Sequence, residues 1–266
     1  MNENYKPRNI STRLYFLRKN IALLWALEKN LRAKYTPSAL HGNISKETYD
    51  EYGERELHDQ ETGICLALKN GCLIKIPFSK VREGYIEPVD NAISRMLKDS
   101  SKTVRVLEVG CGNATNLKIL KEKFGDKVDF SGVDISGARI ETGKKFWSSK
   151  LINIDLYEAS ATDLSIFRDE SFDIVYSICA LEQITYRLHE AVNEMARLSK
   201  SKIICVEPIY EFGNSVQRLY NVVNDQCRTL LPELKATGLK VSEQGLLPVL
   251  HNPLCPVGLV IADKNI

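Results

Sequence analysis

The sequence predicts an α/β fold: a doubly wound, mostly parallel sheet of seven strands, with an antiparallel last strand and an N-terminal helical and hairpin extension. From about Thr103, short β-rich runs alternate with helical patterns, which is typical of parallel strands joined by crossover helices. Two further β-rich runs follow Pro232, and they could close the sheet as an antiparallel pair. A chain of 266 residues with 44% hydrophobic residues can bury a core of this size.

The predicted elements follow in order along the second part of the chain. The parallel strands are predicted at Val104–Val109, Val128–Val133, Asp155–Glu158, Phe172–Ser177 and Lys202–Val206. Helical patterns lie between them at Asn116–Phe124, Gly137–Ser148 and Leu188–Ser199. The closing pair is predicted at Leu239–Gln244 and Val257–Ala262, on either side of the Pro-rich segment Leu247–Pro256.

Residues 1–100 do not repeat this alternation, so we predict an extension over 1–100 and a core domain over 101–266. Ser11 or Thr12 can cap a helix that runs to about Tyr35, with apolar residues on one face and basic residues on the other. We favour a solvated basic face on a helix docked to its own domain. Attachment to a membrane surface and homodimerisation through this helix remain the alternatives.

A β-hairpin and a helix are expected before the core domain. The runs Ile64–Leu68 and Cys72–Ile76 flank Asn70-Gly71, a dipeptide that accepts the positive φ angles of a tight hairpin turn. A helix from about Glu87 to Leu97 then leads into the sheet.

Composition and charge do not favour a nucleic-acid-binding, disulfide-rich or membrane-spanning protein. A net charge of only +2 and the lack of a basic and aromatic patch do not favour nucleic-acid binding. Seven scattered cysteines without a C-x-x-C pair indicate neither a metal site nor a disulfide framework. The polar N-terminus and the absence of a membrane-length apolar run predict a cytoplasmic protein without a transmembrane segment.

The stretch Val104–Thr115, V-R-V-L-E-V-G-C-G-N-A-T, predicts a strand, a tight turn and a helix. Gly110 and Gly112 allow the sharp turn and the close approach of a ligand to the backbone. Dinucleotide sites use a similar loop, so the loop alone allows several adenosine-containing cofactors.

Acidic and polar residues downstream narrow this choice. Asp134 ends the second strand 22 positions after Gly112, where a carboxylate can accept both hydroxyls of a ribose or, alternatively, cap the next helix. Thr162 and Asp163, in A-T-D-L, follow the third strand, where a short polar side chain can meet the rim of an adenine ring. F-D-I-V then opens the fourth strand and A-L-E-Q-I follows it.

This order of motifs, E-V-G-C-G, V-D, A-T-D-L, F-D-I-V and A-L-E-Q-I, resembles the class I S-adenosylmethionine-dependent methyltransferases over roughly Lys102–Ser199. The resemblance implies S-adenosyl-L-methionine as cofactor. It implies that Glu108, Gly110 and Gly112 hold the methionine end. It further implies Asp134 at the ribose, Thr162 and Asp163 at the adenine, and Ile178 and Cys179 beside the sulfonium. Ile135, next to Asp134, is a further expected cofactor-binding residue.

One position departs from the family pattern, since its usual third glycine is Ala114 here. That position mainly serves close packing of the helix, so we expect one added methyl group to be tolerated.

Two other classes of protein stay open as alternatives. A nicotinamide-dependent oxidoreductase would need G-x-G-x-x-G, where this chain has Thr115 at the last place. A non-catalytic S-adenosylmethionine-binding protein would keep the cofactor site without turnover.

The methyl acceptor is expected at the carboxyl ends of the strands, where open α/β sheets bind ligands. We predict methyl transfer to an oxygen or nitrogen atom of a small molecule, such as a sugar or natural-product intermediate. The candidate catalytic residues are Glu182, Glu207 and His251, and the candidate substrate residues are Tyr85, Gln183 and Tyr210. Glu182 could instead cap the following helix, and Glu207 could be a strand-end residue without a catalytic role.

The resemblance implies that the extension forms a lid over the cofactor and contributes acceptor specificity, which fits the need of methyl transfer to exclude water. Tyr49, Tyr52, Arg82 and Tyr85 could line it. The alternative is that these tyrosines pack the hairpin onto the sheet.

Overall fold

A computed structural model describes residues 63–264 with gaps at 70–71, 100–101, 185, 224–225, 227, 249–253 and 256. The predicted N-terminal helix, Tyr49, Tyr52 and His251 lie outside the described residues.

The main sheet has seven strands in the order β5-β4-β3-β6-β7-β9-β8. Neighbouring strands from β5 to β7 pair in parallel, and β9 pairs antiparallel with both β7 and β8. The strands are β3 (Val104–Val109), β4 (Val128–Asp134), β5 (Asp155–Glu158), β6 (Phe172–Ile178), β7 (Ser199–Pro208), β8 (Lys240–Leu246) and β9 (Val257–Asp263). This topology confirms the predicted fold class, including the antiparallel end of the sheet.

The predicted hairpin is also present. Strands β1 (Ile64–Lys69) and β2 (Cys72–Pro77) pair antiparallel, with Lys69 opposite Cys72 on either side of the Asn-Gly dipeptide.

Helices cover both faces of the main sheet. They are α1 (Phe78–Asp99), α2 (Thr115–Phe124), α3 (Gly137–Ser149), α4 (Leu188–Leu198), α5 (Ser215–Val223) and α6 (Leu230–Ala236). One core cluster joins buried side chains of α1, α2 and α3 to one face of the sheet, and a second joins α4 and α6 to the other face. In the described residues, no helix is both long and apolar enough to span a membrane.

Helix α1 begins at Phe78, whereas the sequence predicted a start near Glu87. Pro88 lies inside the helix, although proline usually marks the first turn. The residues on both sides of it form an apolar face, and Val81, Tyr85 and Val89 are all buried. This burial holds the helix together across the proline, which removes only one helical N–H donor.

The turn from β3 into α2 touches the loop after β6. Gly110 and Gly112 have φ angles of 76° and 55°, in the left-handed region that favours glycine. A side chain at Gly110 would overlap the Cβ atom of Ala180, which follows β6. The backbone of the glycine loop therefore packs against the Ala180 side chain, and only glycine fits at this point.

We predict that Gly110→Ala destabilises the protein by about 2–4 kcal/mol, because left-handed strain adds to overpacking. Gly238→Ala is the matched control, since Gly238 also has a positive φ angle of 80° but has open space around the added methyl group. Urea unfolding measures both. Equal losses in the two variants would contradict the packing of the two loops.

Candidate active site

The loops that follow β3, β4, β6 and β7 lie side by side, because these strands run parallel in the order β4-β3-β6-β7. Buried acidic residues stand at the ends of three of the strands. Glu108 lies near the end of β3, Asp134 ends β4, and Glu207 lies near the end of β7. Open α/β sheets bind their ligands at this edge.

Asp134 links the glycine loop to the start of α3. Its Oδ2 accepts a hydrogen bond from the backbone N–H of Gly112 at 2.8 Å, and its Oδ1 accepts one from Ser136 at 2.9 Å. The Arg139 guanidinium lies 3.6 Å from Oδ2. The N-cap of α3 is Ser136, whose hydroxyl accepts from the Arg139 N–H, so Asp134 does not itself cap this helix.

Glu108 is fully buried inside a polar network. It accepts hydrogen bonds from the Asn116 amide at 2.6 Å and from the Tyr176 hydroxyl at 3.1 Å. Arg82 of α1 donates to the same Asn116 at 2.5 Å. Burial raises the pKa of Glu108 to about 8, although these two donors and the positive charge of Arg82 oppose the shift.

Thr162 and Asp163 lie in a tight turn after β5. The Ser160 and Thr162 hydroxyls are 2.9 Å apart, and the Asp163 N–H donates to the Ser160 carbonyl at 3.0 Å. Hydrogen bonds from the hydroxyl and backbone of Ser165 lower the pKa of Asp163, which is exposed. The turn therefore presents an ionised carboxylate and a hydroxyl to solvent. Ile135, directly after β4, is half-buried.

Ile178 and Cys179 lie at the end of β6. Cys179 has a φ angle of 51°, and its N–H donates to the Val206 carbonyl at 2.9 Å. Burial raises the pKa of the Cys179 thiol, and the charges of Glu182 and Glu207 raise it further. The thiol therefore stays protonated and is not an activated nucleophile.

Glu207 anchors the loop after β6. Its buried carboxylate accepts from the Ser177 hydroxyl at 2.8 Å and from the backbone N–H groups of Ala180 at 3.1 Å and Leu181 at 3.2 Å. Burial raises its pKa to about 7, while these donors oppose the shift. The sequence suggested Glu207 as a catalytic candidate, but its oxygens are directed at the loop and not at an open surface.

Glu182 lies in the short 3-10 turn Leu181–Gln183 and is half-buried. Its Oε1 accepts from the Gln183 amide at 3.1 Å and its Oε2 from the Gln226 amide at 3.4 Å. Burial raises the pKa of Glu182 to about 8, and the nearby Glu207 charge adds to the shift.

Sequence reasoning did not find Gln226. It is a single glutamine in a polar stretch between α5 and α6, and no motif marks it. Its side-chain oxygen accepts a hydrogen bond from the Cys255 thiol at 3.1 Å.

The other acceptor candidates are placed differently. Tyr85 packs in the hydrophobic core on α1 and is 7% exposed. Tyr210 is half-buried in a 3-10 turn after β7, with the Arg218 guanidinium 5.4 Å from its ring centre. The structure thus brings Glu182, Gln183 and Glu207 together, and it places Tyr85 in the core. Within the described residues, no group of three His, Cys, Asp or Glu side chains could hold a metal ion.

Comparison with known proteins agrees with this geometry. The family model described as a methyltransferase domain matches residues 106–202. A demethylmenaquinone methyltransferase of Staphylococcus epidermidis is 35% identical over 108 residues, which cover 40% of this chain and 44% of that enzyme. The match therefore spans less than half of the relative's length.

Solved structures show the same fold at low sequence identity. Geranyl diphosphate C-methyltransferase from Streptomyces coelicolor A3(2) has a TM-score of 0.58 at 13% identity, over 86% of this chain and 100% of that one. Magnesium protoporphyrin IX methyltransferase from Synechocystis PCC 6803 has a TM-score of 0.56 at 15% identity, also over 86% of this chain and 100% of that one. The sequence comparison thus matches residues 106–202 to a methyltransferase domain, and the solved structures show that the seven-stranded sheet has the fold of known methyltransferases.

Proposed function

We propose that this protein is an S-adenosylmethionine-dependent methyltransferase that transfers a methyl group to an oxygen or nitrogen atom of a small molecule by in-line displacement. The observation that carries the proposal is the buried edge of β3 and β4, where Glu108, the glycine loop and Asp134 lie together. The names of the three similar methyltransferases all refer to small molecules, which supports a small-molecule acceptor.

The chemistry of this edge fits the cofactor. Glu108 is a fully buried carboxylate for which the described residues provide no ion pair, and burial raises its pKa to about 8. An ammonium group placed beside it would supply the missing positive charge. The methionine end of the cofactor carries such a group, so the donor set and the cofactor are complementary.

Each part of the cofactor has a proposed partner. Glu108, Gly110 and Gly112 would hold the methionine end, and Asp134 with Ile135 the ribose. Thr162 and Asp163 would contact the adenine, and Ile178 with Cys179 would border the sulfonium. The bound cofactor supplies an activated methyl group, so the protein must mainly orient the acceptor and exclude water.

The acceptor would lie beside the loop after β6. Glu182 and Gln183 present polar groups there, and Tyr210 stands on the loop after β7. We assign Glu207 a positioning role in place of a catalytic one, since its carboxylate holds the backbone of the loop. His251 stays a candidate on its sequence position alone.

Ligand binding tests the class of cofactor. We expect S-adenosylhomocysteine, but not NAD, to raise the unfolding temperature, because a ligand that binds only the folded state stabilises it. Asp134→Ala should weaken S-adenosylhomocysteine binding at least about tenfold, the effect of losing a charged hydrogen-bond acceptor. Stabilisation by NAD alone would overturn the proposed function.

Asp129→Ala is the matched control for that experiment, since Asp129 lies on the same strand and is exposed. It should bind S-adenosylhomocysteine as the parent does. Unfolding of Asp134→Ala without ligand separates a loss of binding from a loss of folding, because Asp134 also holds the glycine loop.

The protonation of Glu108 predicts how stability depends on pH. Its pKa is about 8 in the folded protein and near 4.5 when unfolded, so the folded state binds the extra proton between these values. The contribution of this group to stability therefore falls as the pH rises from about 4.5 to about 8. Glu108→Gln removes this loss, so its stability relative to the parent should rise by up to about 1.4 kcal/mol per pH unit.

Urea unfolding of ligand-free protein at pH 5, 6, 7 and 8 measures this difference. Glu141→Gln, at an exposed glutamate of α3, should keep a constant difference from the parent. A constant difference for Glu108→Gln as well would show that Glu108 has an ordinary pKa in the folded protein.

A further inference from the structure

We propose that Glu182, oriented by Gln226, faces the sulfonium and takes the proton of the methyl acceptor, which is therefore a hydroxyl or enol compound. The inference rests on the proposed function and adds to it the base and the class of acceptor.

The position of Glu182 is the first argument. Its 3-10 turn follows β6 and Cys179 directly. The Glu207 carboxylate holds this turn in place by accepting hydrogen bonds from the Ala180 and Leu181 N–H groups. Glu182 is close enough to Cys179 for its charge to raise the pKa of that thiol. The carboxyl group therefore lies beside the place proposed for the sulfonium.

The second argument is that two hydrogen bonds orient the side-chain amide of Gln226, so that its NH₂ group faces Glu182. The Cys255 thiol donates to the Gln226 oxygen at 3.1 Å, so this oxygen is already engaged. The amide NH₂ group must then face Glu182, whose Oε2 accepts from it at 3.4 Å. Gln226 thus joins the loop after β6 to the segment before β9, and it acts as a positioning residue.

The charges around Glu182 form the third argument. Glu207 at the end of β7 lies near it, as does Cys179 on its own loop, and Cys255 is linked to it through Gln226. The positive charge of Arg82 on α1 acts on Cys179 in the opposite sense and lowers the pKa of its thiol. Among the described residues no cation forms an ion pair with Glu182, and burial with Glu207 raises its pKa to about 8. A carboxylate of this basicity suits proton transfer near neutral pH.

The acceptor oxygen forms a bond to the methyl carbon while the carbon–sulfur bond breaks and sulfur keeps its electron pair. The hydroxyl proton passes to the Glu182 carboxylate and leaves to solvent after the product departs. A hydroxyl must lose a proton, whereas a neutral amine needs no base to attack, so a carboxylate at this place favours an oxygen acceptor over a neutral amine.

The affinities of S-adenosylmethionine and S-adenosylhomocysteine test the placement of Glu182 without an acceptor. The two ligands differ at the sulfur atom, which is cationic in the first and neutral in the second. We expect the ratio of their affinities to shift about tenfold toward S-adenosylmethionine as the pH rises from 6 to 9, because only an ionised Glu182 attracts the cation. Isothermal titration calorimetry measures both constants.

Three variants sharpen this test. Glu182→Gln should remove the part of the shift that is centred near pH 8, and Gln226→Ala should move that centre to higher pH because the carboxylate loses a donor. Glu141→Gln should behave like the parent. A shift that persists unchanged in Glu182→Gln would overturn the inference, whereas failure of both ligands to bind at any pH would overturn the proposed function instead.

The class of acceptor has a separate test. Labelled S-adenosylmethionine is incubated with a pooled set of phenols, enols and amines, and the products are separated. O-methylated products, lost in Glu182→Gln while cofactor binding persists, are expected. Products methylated only on nitrogen, or no transfer despite intact cofactor binding, would contradict the oxygen acceptor.

Discussion

Carboxylates held by backbone N–H groups fix the functional edge of this protein. Asp134 accepts from Gly112 and Ser136, and Glu207 accepts from Ala180 and Leu181. A buried carboxylate is costly unless such donors satisfy it. The same bonds that satisfy the two acids therefore hold the loop after β3 against the end of β4 and the loop after β6 against the end of β7.

Two further acids at this edge, Glu108 and Glu182, form no ion pair with a cation among the described residues. Burial raises the pKa of both to about 8. A cofactor with an ammonium at one end and a sulfonium near its middle would supply positive charge to both. We therefore propose that the cofactor binds partly because its positive charges lie beside these two acids.

The sequence predicts the parts of the fold that local pattern encodes. The strands β3 and β5 have their predicted bounds, and the glycine loop turns as expected. Helix α1 is longer than predicted and α6 was not predicted, because burial in the core decides these segments. Helix α5 was not predicted either, and its apolar residues Val216, Leu219 and Val222 are exposed. Ala114 stands where the family has a glycine. Its φ angle of 63° lies in the left-handed region, and the sequence alone did not reveal this backbone conformation.

The cofactor residues were named from their motifs, whereas the support for Glu182 could not be seen in the sequence. Glu207 is 25 residues away and is brought near by the parallel pairing of β6 and β7, whereas Gln226 is 44 residues away in the segment between α5 and α6. A crystal structure with S-adenosylhomocysteine tests the central claim most directly. The account predicts the ligand's ammonium at about 3 Å from Glu108 and its ribose beside Asp134. A ligand bound elsewhere, with the edge of β3 and β4 empty, would contradict it.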